Sequence, residues 1–122
     1  MPESIGNFVN GSWVEAETGE TFAVKNPANE SEVVGRFQRS GSGDADRAVE
    51  SAAAVSDEWA RLPGPSRGEI LRRASERLEQ RKEELAQTLT REEGKTLSES
   101  RPEVQRAIDI FAYYAEKARE FT

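Results

Sequence analysis

Few residues in this chain could carry chemistry. Glu92 and Glu93 stand beside Lys95, a grouping that could move protons. Carboxylates closing a glutamate-rich helix are more often surface charges, and that plainer reading is preferred. Arg67, Arg72, Arg73, Arg77 and Arg81 could meet phosphate or RNA. Glu69, Glu76, Glu79, Glu83 and Glu84 interleave with them at three- or four-residue spacing, so a paired, solvated helix face is expected instead. Tyr113 and Tyr114 could donate protons or stack on a ring; on an apolar helix they are expected to pack. Gly41 and Gly43 do not form a dinucleotide fingerprint, because the full G-x-G-x-x-G is absent, and so is a P-loop. The chain has no cysteine, which removes thiolate nucleophiles, disulfides and Cys-based zinc sites. It has no histidine, which removes the usual general base and the commonest metal ligand.

The elements that position these residues can be read from spacing. Residues 102–121 form the centre of the pattern. Val104, Ala107, Ile108, Phe111, Ala115 and Ala118 recur on one helical face. Residues 110–115 are apolar almost all round, so this helix needs cover on more than one side. Upstream, Phe8-Val9 and Trp13-Val14 flank Asn10-Gly11, a strong hairpin signal. Thr18-Gly19 marks a second turn, residues 21–25 a strand, and Asn26-Pro27 its stop. After a turn at 28–30, residues 33–39 alternate as a further strand. Four such strands make a small antiparallel meander, about 7–39, that needs a helix to cover it.

Ser42 or Asp44 can cap the next helix, about 44–60. Its face is Ala45, Ala48, Val49, Ala52 and Ser56, with Trp59 as the large anchor. Leu62-Pro63-Gly64-Pro65 ends it. Ser66 and Glu69 fit a capping box. Ile70, Leu71, Ala74, Leu78, Leu85, Ala86 and Leu89 then carry an apolar stripe that would permit one helix over 67–93, with 80–82 as the only candidate break. Gly94 closes it. Residues 95–101 read as a polar connection into a helix at about 102–120, with Pro102 near its first turn.

With 122 residues, one domain is expected. A 35% hydrophobic and 33% charged composition implies modest stability on its own. The net charge of −6 argues against a nucleic-acid partner. Acids are mostly glutamate and arginine far outnumbers lysine, which suits either a halophile or an ordinary acidic protein. No signal peptide or membrane span is visible, so the cytoplasm is the default location.

Taken together, FVNGSWV at 8–14, VKNPANESEVVG at 24–35, DADRAVESAAAVSDEWA at 44–60, RGEILRRASERLEQRKEELAQTLTREEGK at 67–95 and EVQRAIDIFAYYAEKA at 103–118 resemble the opening of the aldehyde dehydrogenase superfamily. The wording of the last stretch resembles the semialdehyde and sugar-acid branch. The resemblance implies an α+β fragment: short antiparallel strands, then about four helices, part of the Rossmann-like cofactor half. It breaks the 67–93 run near Arg81, giving helices at 66–80 and 82–93. The family oxidises small aldehydes with NAD or NADP, through a cysteine nucleophile, a glutamate that activates water and an oxyanion-binding asparagine. None of these has a counterpart before Thr122. No catalytic or cofactor-binding residue is therefore assigned, and this length alone is expected to be inactive and to bind no cofactor.

Two assignments do follow from the resemblance. A monovalent cation would sit between Glu92 and backbone carbonyls near Val24 and Lys25, oxygen ligands that suit a hard ion. Arg106 would border the substrate access tunnel and meet an acidic aldehyde; a simple exposed arginine is the preferred reading. The apolar face of the last helix is expected to favour self-association. The competing expectation is a stand-alone helical interaction module without activity.

Overall fold

The computed structural model describes residues 4–121. They form two compact units, one running to Ala60 and the other starting at Arg61.

The first unit holds β1 (Ser4–Ile5), β2 (Asn7–Val9), β3 (Ser12–Val14), β4 (Thr21–Asn26), β5 (Asn29–Gln38) and α1 (Ser42–Arg61). Asn10 and Gly11 both take positive φ, 51° and 76°, so β2 and β3 pair across a tight two-residue turn, with Phe8 opposite Trp13. The strands do not form the single antiparallel meander that spacing suggests. The hairpin is a sheet of its own, and the second sheet has the order β1-β5-β4 with β1 parallel to β5. Two residues, Ser4 and Ile5, are too few to show a period. The turn after β4 is also shorter than expected. Asn26 Oδ1 accepts the Ala28 N–H at 2.9 Å, so the reversal closes on Pro27 and Ala28 and β5 starts at Asn29. Buried Gln38 fixes the ends: its Oε1 accepts the Ala16 N–H at 2.9 Å and its Nε2 donates to the Ile5 carbonyl at 3.2 Å. α1 has no buried residue, and Trp59, expected as an anchor, is 41% exposed.

The second unit holds α2 (Gly64–Gln80), α3 (Lys82–Glu93) and α4 (Leu97–Ala118). The break between α2 and α3 falls at Arg81, whose φ of −107° and ψ of 14° leave the helical region. Ala86, Val104 and Ile108 form the core, with Leu78, Leu85, Leu89 and Leu97 packed against it. α2 does not use the Ser66 capping box. It starts earlier, at Gly64 with Pro65 in its first turn, and Glu69 pairs with Arg72 and Arg73 instead. α4 also starts earlier than expected, within the stretch read as a connection. Thr96 supplies the start: the Glu99 carboxylate accepts from its N–H at 3.0 Å and its hydroxyl at 2.7 Å. Pro102 therefore lies inside α4, beyond the first turn.

α2 and α4 approach closely because small residues line the seam. A Cβ at Gly68 would lie 2.5 Å from the Ala115 carbonyl oxygen, and one at Gly64 would run into the carbonyls of Ala118 and Phe121. Further along, buried Ser75 donates to the Ile108 carbonyl at 2.9 Å. In Gly68→Ala, better helix propensity gains up to ~1 kcal/mol, but overpacking against main chain costs ~1–3 kcal/mol. Net destabilisation is expected in urea melts. Gly41→Ala, where a Cβ meets nothing within 4 Å, is the control that should not shift.

Candidate functional site

The turn from α3 to α4 carries most of the side chains of interest. Gly94 ends α3 in the left-handed region, φ 77°, with its N–H on the Thr90 carbonyl at 2.9 Å. Thr90 Oγ1 donates to Ser100 Oγ at 2.8 Å, and Ser100 is fully buried. Lys95 Nζ lies 2.6 Å from both Glu93 and Glu103, which ties the end of α3 to α4. The hydrogen bond that the Lys95 ammonium donates to Glu103, and then that to Glu93, holds it above the ordinary lysine pKa.

Glu92 sits one residue from this knot. It lines a groove of about 330 Å³ with Leu78, Leu85, Leu89, Glu103 and Val104. Among the described residues no hydrogen bond or ion pair reaches its carboxylate. That sets it apart from Glu83, Glu93 and Glu103, which pair with Arg101, Lys95 and Lys95. Val24 and Lys25 belong to the first unit, on β4. The register shifts between them, Val24 facing Gly35 and Lys25 facing Val33, so the ladder is interrupted where backbone carbonyls were expected to serve as ligands. Among the described residues no three His, Cys, Asp or Glu side chains gather as a metal group. Arg106 is exposed on α4, and no ion pair to it occurs among the described residues.

Three of the five arginines meet the interleaved acids, while Arg67 Nε is buried without a hydrogen-bond partner among the described residues. Arg72 bridges Glu69 and Glu76, Arg73 reaches Glu69, and Arg81 meets Glu84. The Arg72 hydrogen bond, with its charge and that of Arg73, draws the Glu69 pKa down to about 2. Gly41, ahead of α1, and Gly43, in its first turn, offer no phosphate cradle. Asp44 Oδ2 accepts the Gly41 N–H at 2.9 Å and Oδ1 accepts the Glu17 N–H at 3.0 Å. These two bonds, with help from Arg47, keep Asp44 ionised below its usual pKa. A phosphate at this helix start would meet that carboxylate and Glu17 beside it.

The outer face of α4 is open, as a helix that is apolar almost all round and short of cover suggests. Tyr113 and Tyr114, expected to pack, are 59% and 56% exposed and meet only edge to face, centroids 5.2 Å apart. Ile110, Phe111 and Tyr114 line a second recess of about 330 Å³ with Leu71. Ile70 is also exposed. Val104, Ile108 and Ala115 of the predicted stripe are buried, and it is Ile110, Tyr113 and Tyr114 beside it that leave an open apolar surface.

A mixed sheet, a hairpin and four helices with small-residue packing between α2 and α4 define an α+β fragment of Rossmann-like dehydrogenase type. Residues 13–122 match the aldehyde dehydrogenase family, and the chain belongs to that family. It is 55% identical over 120 residues to an alpha-ketoglutarate semialdehyde dehydrogenase of Haloferax volcanii, covering 98% of this chain and 25% of that protein. It is 43% identical over 109 residues to an alpha-ketoglutaric semialdehyde dehydrogenase of Bacillus subtilis, covering 89% of this chain and 22% of that protein. The crystal structure of an NAD-dependent aldehyde dehydrogenase from Sinorhizobium meliloti superposes with a TM-score of 0.93 at 28% identity, over 99% of this chain and 24% of that one. The chain thus spans about a quarter of the length of these relatives.

Proposed function

We propose that this chain works as the N-terminal part of the cofactor-binding half of an NAD- or NADP-dependent dehydrogenase that oxidises an oxoacid semialdehyde to the acid. The observation that carries the reading is the bare face of α4. Ile110, Phe111, Tyr113 and Tyr114 are placed as for a buried seam yet face solvent. The remaining length of such an enzyme would cover them. Nicotinamide binding, the nucleophile and water activation fall to that remainder; this chain's residues do not fit a nucleotide, and none is assigned to it. Both relatives described above are named for the same semialdehyde, which supports an acidic aldehyde as substrate.

Two residues of this chain enter the reading. Glu92, without a partner among the described residues, would offer a carboxylate oxygen to a monovalent cation, bracing the fold rather than reacting. Arg106, unpaired on α4, would draw an acidic aldehyde to the access tunnel. Among the described residues no helix is long and apolar enough to cross a membrane. A cytoplasmic enzyme is the natural setting, and the acidic, arginine-rich surface suits high salt.

The test is a chimera in which these residues replace the matching quarter of the Haloferax volcanii relative. It should oxidise alpha-ketoglutarate semialdehyde. Arg106→Ala should raise KM about three- to tenfold for that substrate, the loss of one exposed charge contact of ~1 kcal/mol, and leave KM for a neutral aldehyde unchanged. Equal effects on both aldehydes would remove Arg106 from the reading. An inactive but folded chimera would remove the reading itself.

A further inference from the structure

Four asparagines stand in this chain, Asn7, Asn10, Asn26 and Asn29, all in the first unit. Three of them have committed side chains. Asn7 Nδ2 donates to Ser40 Oγ at 2.7 Å. Asn26 Nδ2 donates to Glu32 at 2.9 Å while its Oδ1 holds the Ala28 N–H, and Asn29 Oδ1 accepts from Ser31 Oγ at 2.6 Å. Among the described residues no hydrogen bond reaches the side chain of Asn10. The residue that follows separates the four again. Phe8 and Glu30 put a side chain beside the amide nitrogen, and Pro27 has no N–H at all. Gly11 has neither obstacle, and a Cβ built there would meet nothing within 4 Å. The free asparagine and the unhindered nitrogen thus meet in the exposed turn of a hairpin with three residues per strand. A lone two-stranded hairpin is marginal in water, so this turn opens at little cost.

We propose that Asn10 is a site of spontaneous deamidation whose isoaspartate product releases β2 from β3. The Gly11 nitrogen gives up its proton to hydroxide and bonds to Asn10 Cγ. The side-chain nitrogen takes a proton from water and leaves as ammonia, and a cyclic imide closes. Water then opens the ring at either carbonyl. Opening at Cγ leaves aspartate in a normal chain. Opening at the main-chain carbonyl leaves isoaspartate, with the backbone routed through the former side chain. One water enters, one ammonia leaves, and nothing is oxidised or reduced. The aspartate can keep the turn, because Asp-Gly suits it as Asn-Gly does. Isoaspartate adds one carbon to the main chain between strands whose register is set by the loop. Val9 opposite Ser12 and Phe8 opposite Trp13 cannot then be kept together, and the ring contact at 5.1 Å is lost. Either product also adds a carboxylate to a recess of about 310 Å³ that Glu15 and Asp44 already line, where Arg47 is bound to Asp44 at 2.8 Å.

The experiment ages the 122-residue chain at mildly alkaline pH and maps each asparagine by mass spectrometry. Asn10 should lose its amide at least about tenfold faster than Asn7, Asn26 or Asn29. An Asn10 that keeps its amide as long as Asn7 does would overturn the proposal. A second series in urea separates fold from sequence. Asn10 should speed up little, because its turn already opens. Asn7 and Asn29 should speed up more, because their bonds to Ser40 and Ser31 are gone, while Asn26 stays slow beside Pro27. A gap between Asn10 and the other two that urea leaves unchanged would refute the part assigned to the folded contacts. The consequence is read by nuclear magnetic resonance. Isolated isoaspartate chain should lack the Phe8–Trp13 ring contact, and freshly made Asn10→Asp should keep it. An isoaspartate form that keeps the contact, or an Asn10→Asp that lacks it, would refute release by the added carbon. Asn10→Gly, whose Gly-Gly turn carries no amide, should hold the contact through the same ageing; losing it there would overturn the proposal.

Discussion

Mixed with alpha-ketoglutarate semialdehyde and NAD or NADP, the 122-residue chain is expected to give no aldehyde-dependent rise in reduced nicotinamide. The expectation is all-or-none because each part of the reaction lacks its group. No cysteine can add to the aldehyde, and no histidine can serve as a base. Gly41, between β5 and α1, already donates its N–H to Asp44, whose carboxylate would repel a pyrophosphate. Glu93 and Glu103 are committed to Lys95. Positioned groups and cofactor together supply rate enhancements of ~10⁶ or more in enzymes generally, so their joint absence leaves only background. Absorbance at the reduced-nicotinamide band is the measurement. Turnover that scales with the chain and follows it through gel filtration would refute the assignment of chemistry to other residues of the dehydrogenase.

The second large effect is an opposite response of one double variant in two settings. Ile110→Glu with Tyr114→Glu should be nearly neutral for the chain by itself. Both side chains are already exposed, and surface substitutions usually stay within ~0.5 kcal/mol. The variant should also abolish the concentration-dependent association that the apolar face is expected to drive, as seen by sedimentation. In the chimera the same pair should be ruinous. Covering two large apolar side chains is worth ~1.5–3 kcal/mol each, and a carboxylate in the same place must be desolvated without a partner. Loss of several kcal/mol would leave little folded enzyme, since whole domains have only ~5–15 kcal/mol. A chimera that tolerates both glutamates would show that this face is not covered, and would favour a stand-alone interaction module.

Local signals were legible where local physics decides. Asn10-Gly11 and Gly94 needed positive φ and have it. The interleaved charges of α2 read as pairs, and Glu69, Arg72, Arg73 and Glu76 are paired. Misreadings came where two equal signals competed or where pairing is non-local. Ser66–Glu69 and Thr96–Glu99 obey one capping rule, and only the second is used, because Pro65 and the close seam of Gly64 and Gly68 already start α2. β1 shows no period in two residues and is held by β5, some thirty positions away. Trp59, Tyr113 and Tyr114 were expected inside because pattern reports that a face is apolar, not whether the same chain covers it. As for site residues, Glu92 and Arg106 rested on family likeness. What structure adds is that both are without partners among the described residues. The Lys95 bridge was missed, although Glu93-Gly94-Lys95 at a helix end hinted at it.

The most direct measurement is nitration of Tyr113 and Tyr114, mapped by mass spectrometry, in the chain at a concentration where it sediments as a monomer and in the chimera. Both tyrosines should react readily in the first and be protected in the second. Equal reactivity in the two proteins would contradict the claim that this face of α4 exists to be covered by the rest of a dehydrogenase.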